Sequence, residues 1–235
     1  MKWFNDLKIG TKLMAGFTLV AAIAGLIGWE GLRSTAQISA NSTTMYKDRL
    51  VPLRDLGYAN AALLIGRTEA RNILLAKSGD ARKRYVSLVQ AEDANIDRYI
   101  EAYSKTVLTK EEEDLLPRFR SALDQYRQHR NRAMDLAMAG AVDKAQDVLD
   151  GDAFQSQTDA RKNLRALIDV QAKLSDQDQK ANDETAGSAR NLILGLMAGG
   201  VLIALGLGFL ISRLIGNPVR AMQAAAGRLA LGDVN

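Results

Sequence analysis

Leu53–Lys77 reads LRDLGYANAALLIGRTEARNILLAK. Laid on a heptad template, it places Leu53, Asn60, Arg67 and Leu74 at one seam position and Leu56, Leu63, Ala70 and Lys77 at the other. Spacings of three and four keep one stripe of a helix turned toward its partners, so this stretch is a bundle helix. The same seam predicts a parallel homodimer with the first bundle helices of two chains in contact. Pro52, just upstream, lacks a backbone donor and its ring crowds the preceding turn, which predicts a kink. Downstream, KSGD (Lys77–Asp80) is a turn signal, with Gly79 past the last helical residues.

A second helix follows from about Ala81 to Lys105, turning Tyr85, Leu88, Val89, Ile96, Tyr99, Ile100 and Tyr103 toward a core. Thr109 and Glu112 form a capping box that opens a third helix. Pro117 falls in its first turns, Gly140 ends it, and the acidic run Glu111–Asp114 suits its N-terminal dipole. DGDAF (Asp150–Phe154) reads as irregular. A fourth helix then buries Leu164, Leu167, Ile168 and Leu174, with no clear breaker before the next apolar run except Gly187. Strand signals are missing: alternation is not sustained and β-branched residues are sparse. The fold class is therefore all-α, an up-down-up-down four-helix bundle. Cysteine is absent, so the bundle is held by packing alone.

The 235 residues carry a formal charge of +4, with 47% hydrophobic and 25% charged residues, but the charges are unevenly spread. They are almost absent from Leu13–Trp29 and from LILGLMAGGVLIALGLGFLI (Leu192–Ile211). The second run is long enough to cross a hydrocarbon layer of about 30 Å, and the first is at the short end. A soluble reading would need two core helices apolar on every face, at opposite ends of the chain. The first run lacks a small-x-small cleavage site and ends in Trp29-Glu30, so it reads as an uncleaved signal anchor. Lys2, Lys8 and Lys12 precede it, and Arg213, Arg220 and Arg228 follow the second run. The positive-inside bias puts both termini in the cytoplasm and the middle outside. The expected segments are a cytoplasmic start (1–12), a first span (13–29), an outer bundle (30–190), a second span (191–212) and a cytoplasmic tail (213–235). The basic residues form no single patch, which argues against a nucleic-acid partner.

No catalytic constellation stands out. His129 is the only histidine, so a nucleophile–imidazole pair and a metal site lack support, and beside Arg127, Gln128 and Arg130 it reads as a solvated surface residue. Neither a metal nor a cofactor is expected, and the chain does not read as an enzyme. Arg67 and Arg71 are more informative: four residues apart, they share one helix face. A guanidinium at a seam position needs a partner, which Glu69 or an Asp from another helix would supply. Two arginines would equally clamp a ligand carboxylate through bidentate hydrogen bonds. Residue type and spacing leave both readings open.

The start, MKWFNDLKIGTKLMAGF, resembles the N-terminus of bacterial methyl-accepting chemotaxis proteins, and RLVPLRDL (Arg49–Leu56) is similar to a pattern in their first sensory helix. Pro218 after the second run, followed by ALGD at Ala230–Asp233, resembles the first helix and connector start of a HAMP relay domain, with Pro218, Gly232 and Asp233 as relay positions. The second HAMP helix and a signalling domain are expected beyond this sequence. The resemblance implies a chemoreceptor of the bacterial inner membrane with a periplasmic bundle, sensing an organic acid, an amino acid or a periplasmic binding protein. It also implies a cytoplasmic kinase and adaptor of the CheA/CheW type. The alternative is the same front end on a HAMP-containing histidine kinase or diguanylate cyclase. Amino-acid-sensing members bind ligand carboxylates with first-helix arginines across a dimer interface. Two of those match Arg67 and Arg71, while a third falls on Ala62. FQSQT (Phe154–Thr158) matches the segment that meets the ligand's amino group through backbone carbonyls and a hydroxyl, which adds Phe154, Gln155, Gln157 and Thr158 to the expected site.

Overall fold

The computed structural model describes residues 8–230, and among them every regular element is helical. Helix α1 spans Ile9–Met45, a π-helical turn Tyr46–Leu50, α2 Val51–Leu75, α3 Gly79–Ser104, α4 Lys110–Met138, α5 Val142–Asp150 and α6 Asp152–Ala230. Helices α2, α3, α4 and the start of α6 are the four of the bundle, in the up-down-up-down order that the short α2–α3 and α3–α4 connections impose.

Local chemistry sets the boundaries. The change at Pro52 is a π turn, in which the Val51 N–H donates to the Tyr46 carbonyl. Pro52 cannot donate to the Asp48 carbonyl four residues back. The Arg49 side chain does so instead, its Nη1 lying 3.0 Å from that oxygen, while its Nε pairs with Asp178 on α6 at 2.8 Å. Ser78 caps α3 by accepting from the Ala81 N–H. The Thr109–Glu112 capping box is present at the start of α4. At the other end of α4, the Ala141 N–H donates to the Leu136 carbonyl and the Gly140 N–H to the Ala137 carbonyl. This double closure requires a left-handed residue, and Gly140 sits at φ +84°.

DGDAF is more regular than expected. Val142–Asp150 forms α5, and helix resumes at Asp152, so Gly151 alone separates the two. Its N–H donates to the Asp147 carbonyl, closing α5 before the chain turns into α6.

The compact unit Asn41–Ala181 contains the bundle. Its core is continuous, with Leu56, Leu63, Ile73, Val89, Ile96, Phe119, Leu164 and Leu167 at most 1% exposed. Three findings correct the sequence reading. Leu56, Leu63 and Ala70 of the expected dimer seam face this core, so they are not available to a second chain. Leu88 lies on the exposed side of α3. Arg130 is buried, in a fork-to-fork pair with Asp93 of α3 at 2.9 and 2.6 Å, and Arg127 reaches the same carboxylate at 3.2 Å.

A second unit takes the chain up to Ala40 and from Asn182 onward. Within it, α1 and α6 approach closely where residues are small: a Cβ on Gly200 would stand 2.9 Å from Ile23 Cγ2, and one on Gly16 would stand 3.2 Å from Ile211 Cδ1. Both helices are long and apolar enough to cross a membrane, and their apolar stretches are almost entirely unburied. Pro218 lies in the helical run of α6, whereas Gly232 and Asp233 fall outside the described residues.

Candidate functional site: a cationic groove between α2 and α6

The first turns of α6 carry Phe154, Gln157 and Thr158 to one side, and α2 brings Arg67 beside them. The half-buried Arg67 guanidinium lies over the Phe154 ring, 5.5 Å from its centroid, so ring and cation hold one another by a cation–π contact. Thr158 Oγ1 donates to the Phe154 carbonyl at 2.8 Å. Gln157 is buried at 2% exposure, yet its Nε2 has no hydrogen-bond partner among the described residues.

The groove continues along α6 past Arg161, Lys162, Arg165 and Asp169 and has a volume of about 510 Å³. Four cations therefore face one carboxylate. Arg67, Arg161, Lys162 and Arg165 make no ion pair among the described residues, and the buried Nε of Arg161 has no acceptor. Elsewhere in the bundle Arg49, Arg127 and Arg130 are satisfied by aspartates, while the half-buried Arg82 of α3 also has a buried Nε without an acceptor among the described residues. A concave surface with unneutralised positive charge concentrates field lines and attracts anions. The buried Tyr126 phenol is tied to the same field: burial pushes its pKa up, and the charges of Arg130 and Arg67 pull it partly back. It stays a neutral phenol at ordinary pH.

The expected site residues separate into two groups. Arg67, Phe154, Gln157 and Thr158 come together in the groove. Arg71 is instead engaged by Asp150 of α5 at 2.6 Å, in an exposed ion pair. Gln155 is exposed and reaches Asp159 at 3.3 Å. Ala62 is a core residue at 4% exposure. Arg161, Lys162 and Arg165 were not anticipated. Their spacing of three and four after Thr158 was the available signal, but such charges on a helix ordinarily face solvent.

A second polar constellation is structural. Glu112 is fully buried and makes no ion pair among the described residues, and it accepts from Tyr103 Oη at 2.7 Å, Gln171 Nε2 at 2.6 Å, and the Thr109 N–H and hydroxyl at 2.8 Å each. Burial alone would raise its pKa, but these four donors outweigh it and hold the carboxyl below its ordinary value. The Tyr103 phenol is pushed up, by burial first and then by its bond to the Glu112 carboxylate.

Residues 6–186 match the family described as a four helix bundle sensory module for signal transduction. The chain belongs to that family. It is a sensory domain of the type found in methyl-accepting chemotaxis proteins. A sensory transducer protein of Acetivibrio thermocellus is 26% identical over 161 residues, which is 68% of this chain and 29% of the relative. The sensory module thus spans less than a third of that relative's length. No solved structure matches it.

Proposed function

We propose that the sensory module is the input half of a transmembrane chemoreceptor that binds a small carboxylate-bearing ligand in the α2–α6 groove. The observation that carries this reading is a groove lined by Arg67, Arg161, Lys162 and Arg165 with no acid partner for any of them among the described residues. A carboxylate seated against Arg67 would supply the paired acceptor that a planar guanidinium is shaped for.

The two apolar helical stretches then anchor the module in the bacterial inner membrane, with the bundle in the periplasm and both termini in the cytoplasm, as the flanking Lys and Arg residues favour. A homodimer would use the face of α2 turned away from the core, where Gly57, Ala61, Ile65, Thr68 and Leu75 are exposed at spacings of three, four and seven. The occupied state is relayed along α6 through Pro218, Gly232 and Asp233 to HAMP and a signalling domain served by a CheA/CheW-type kinase and adaptor.

The test is a thermal-shift screen of small carboxylates on the full chain in detergent. A ligand that binds only the folded state, present at 100 times its dissociation constant, adds about 2.7 kcal/mol of stability. A rise in melting temperature with at least one carboxylate is expected. No shift with any carboxylate, beside a clear shift with neutral or cationic compounds, would contradict the reading.

A further inference from the structure

We propose that the groove is built for a ligand with two or more carboxylates and no ammonium group, held by Arg67 at one end and by Arg161 and Arg165 further along α6. This rests on the reading of the groove as the sensory site. The positive lining begins where Arg67 meets Phe154 and continues along α6 through Arg161 to Arg165, whose long side chains lean toward the helix N-terminus and so toward Phe154. One carboxylate at Arg67 leaves the distal cations without a counter-ion. Arg161 and Arg165 lie one turn apart on one helix face, so they converge on a common second anion. The unpartnered amide of the buried Gln157 and the unpartnered Nε of Arg161 are donors in need of an acceptor, and both residues line the groove.

An ammonium finds no comparable reception. Phe154–Thr158 lie within α6, where backbone carbonyls are engaged by the helix ladder, and the Phe154 carbonyl also accepts from Thr158 Oγ1. Asp169 is the groove's one carboxylate, and it stands beyond Arg165, away from Arg67. The selected class is a small organic di- or tricarboxylate.

The experiment is calorimetric titration of the full chain in neutral phosphatidylcholine nanodiscs at low salt, with propionate, succinate, citrate and L-aspartate as probes. Succinate or citrate is expected to bind at least tenfold tighter than propionate, and L-aspartate more weakly than succinate. Arg161→Gln and Arg165→Gln should each weaken succinate about tenfold and propionate by much less, with Arg165→Lys retaining part of the succinate affinity. The advantage of the di- and tricarboxylate should shrink as salt rises, because the distal arginine is exposed. If propionate binds as tightly as succinate, or if the two glutamine variants bind succinate like the parent while Arg67→Ala does not, the two-anion groove is wrong and the sensory site stands; if L-aspartate binds as tightly as succinate, the exclusion of an ammonium is wrong. If none of the four probes binds, both fail.

Discussion

At the residue scale, Glu112 shows how much of the bundle rests on satisfied polar groups. Its carboxylate closes the capping box and anchors Tyr103 and Gln171, residues from α3 and α6. Glu112→Ala would leave the buried donors of Tyr103 and Gln171 and the half-buried Thr109 cap unpaired and should cost about 2–4 kcal/mol, measured as denaturant-induced unfolding. The pH dependence has a definite sign. A carboxyl whose folded pKa is depressed adds stability above its unfolded pKa and loses it as pH falls through the folded value. The parent should therefore lose stability more steeply than Glu112→Gln below about pH 5, and parallel acid profiles would contradict this. The Asp93–Arg130 pair makes a second prediction. Asp93→Ala leaves a buried guanidinium uncompensated and should destabilise by about 3–5 kcal/mol, and combining it with Arg130→Met should recover much of that loss. The capping box was legible because both partners lie within one turn. Gln171, 59 residues from Glu112, was not, and neither was the burial of Arg130, since a helix bearing Arg127, Gln128 and Arg130 gives no sign of an aspartate opposite.

At the element scale, periodicity located the helices but not the direction their stripes face. The heptad on α2 is real, yet a repeat reads the same whether the partner is another chain or the chain's own core. Here Leu56, Leu63 and Ala70 turn inward. Cysteines placed singly on α2 of the full chain in membranes should cross-link at positions 57, 61, 65, 68 and 75 and not at 56, 63 and 70. Equal cross-linking at both sets would exclude this face as the dimer contact. Gly140 was readable as a stop because only a left-handed residue completes that closure. Helix α5 escaped notice because a nine-residue helix bracketed closely by two glycines looks like a loop when only long runs are weighed. Pro52 announced a disturbance without saying which, and the π turn depends on Arg49 supplying the missing donor.

At the scale of the whole molecule, α6 carries the groove on its first turns and continues as one helix of 79 residues through Leu192–Ile211. A bound ligand can shift an equilibrium only by its differential affinity for two states, so the account requires two positions or orientations of this helix. Inserting two glycines beside Gly187 adds about 1 kcal/mol of helix penalty per residue at a place where no side chain crowds the backbone. In a receptor carrying a signalling domain, this insertion should leave ligand affinity within about threefold of the parent and abolish the response, whereas intact signalling would rule out a rigid relay. The central claim, that an anion bound at Arg67 is the input, has a more direct test. Titrating the full chain in nanodiscs with succinate should give binding in the parent and a loss of about 2–5 kcal/mol in Arg67→Ala, with Arg67→Lys also impaired because an ammonium lacks the planar fork. Equal affinity in the parent and both variants would contradict the account.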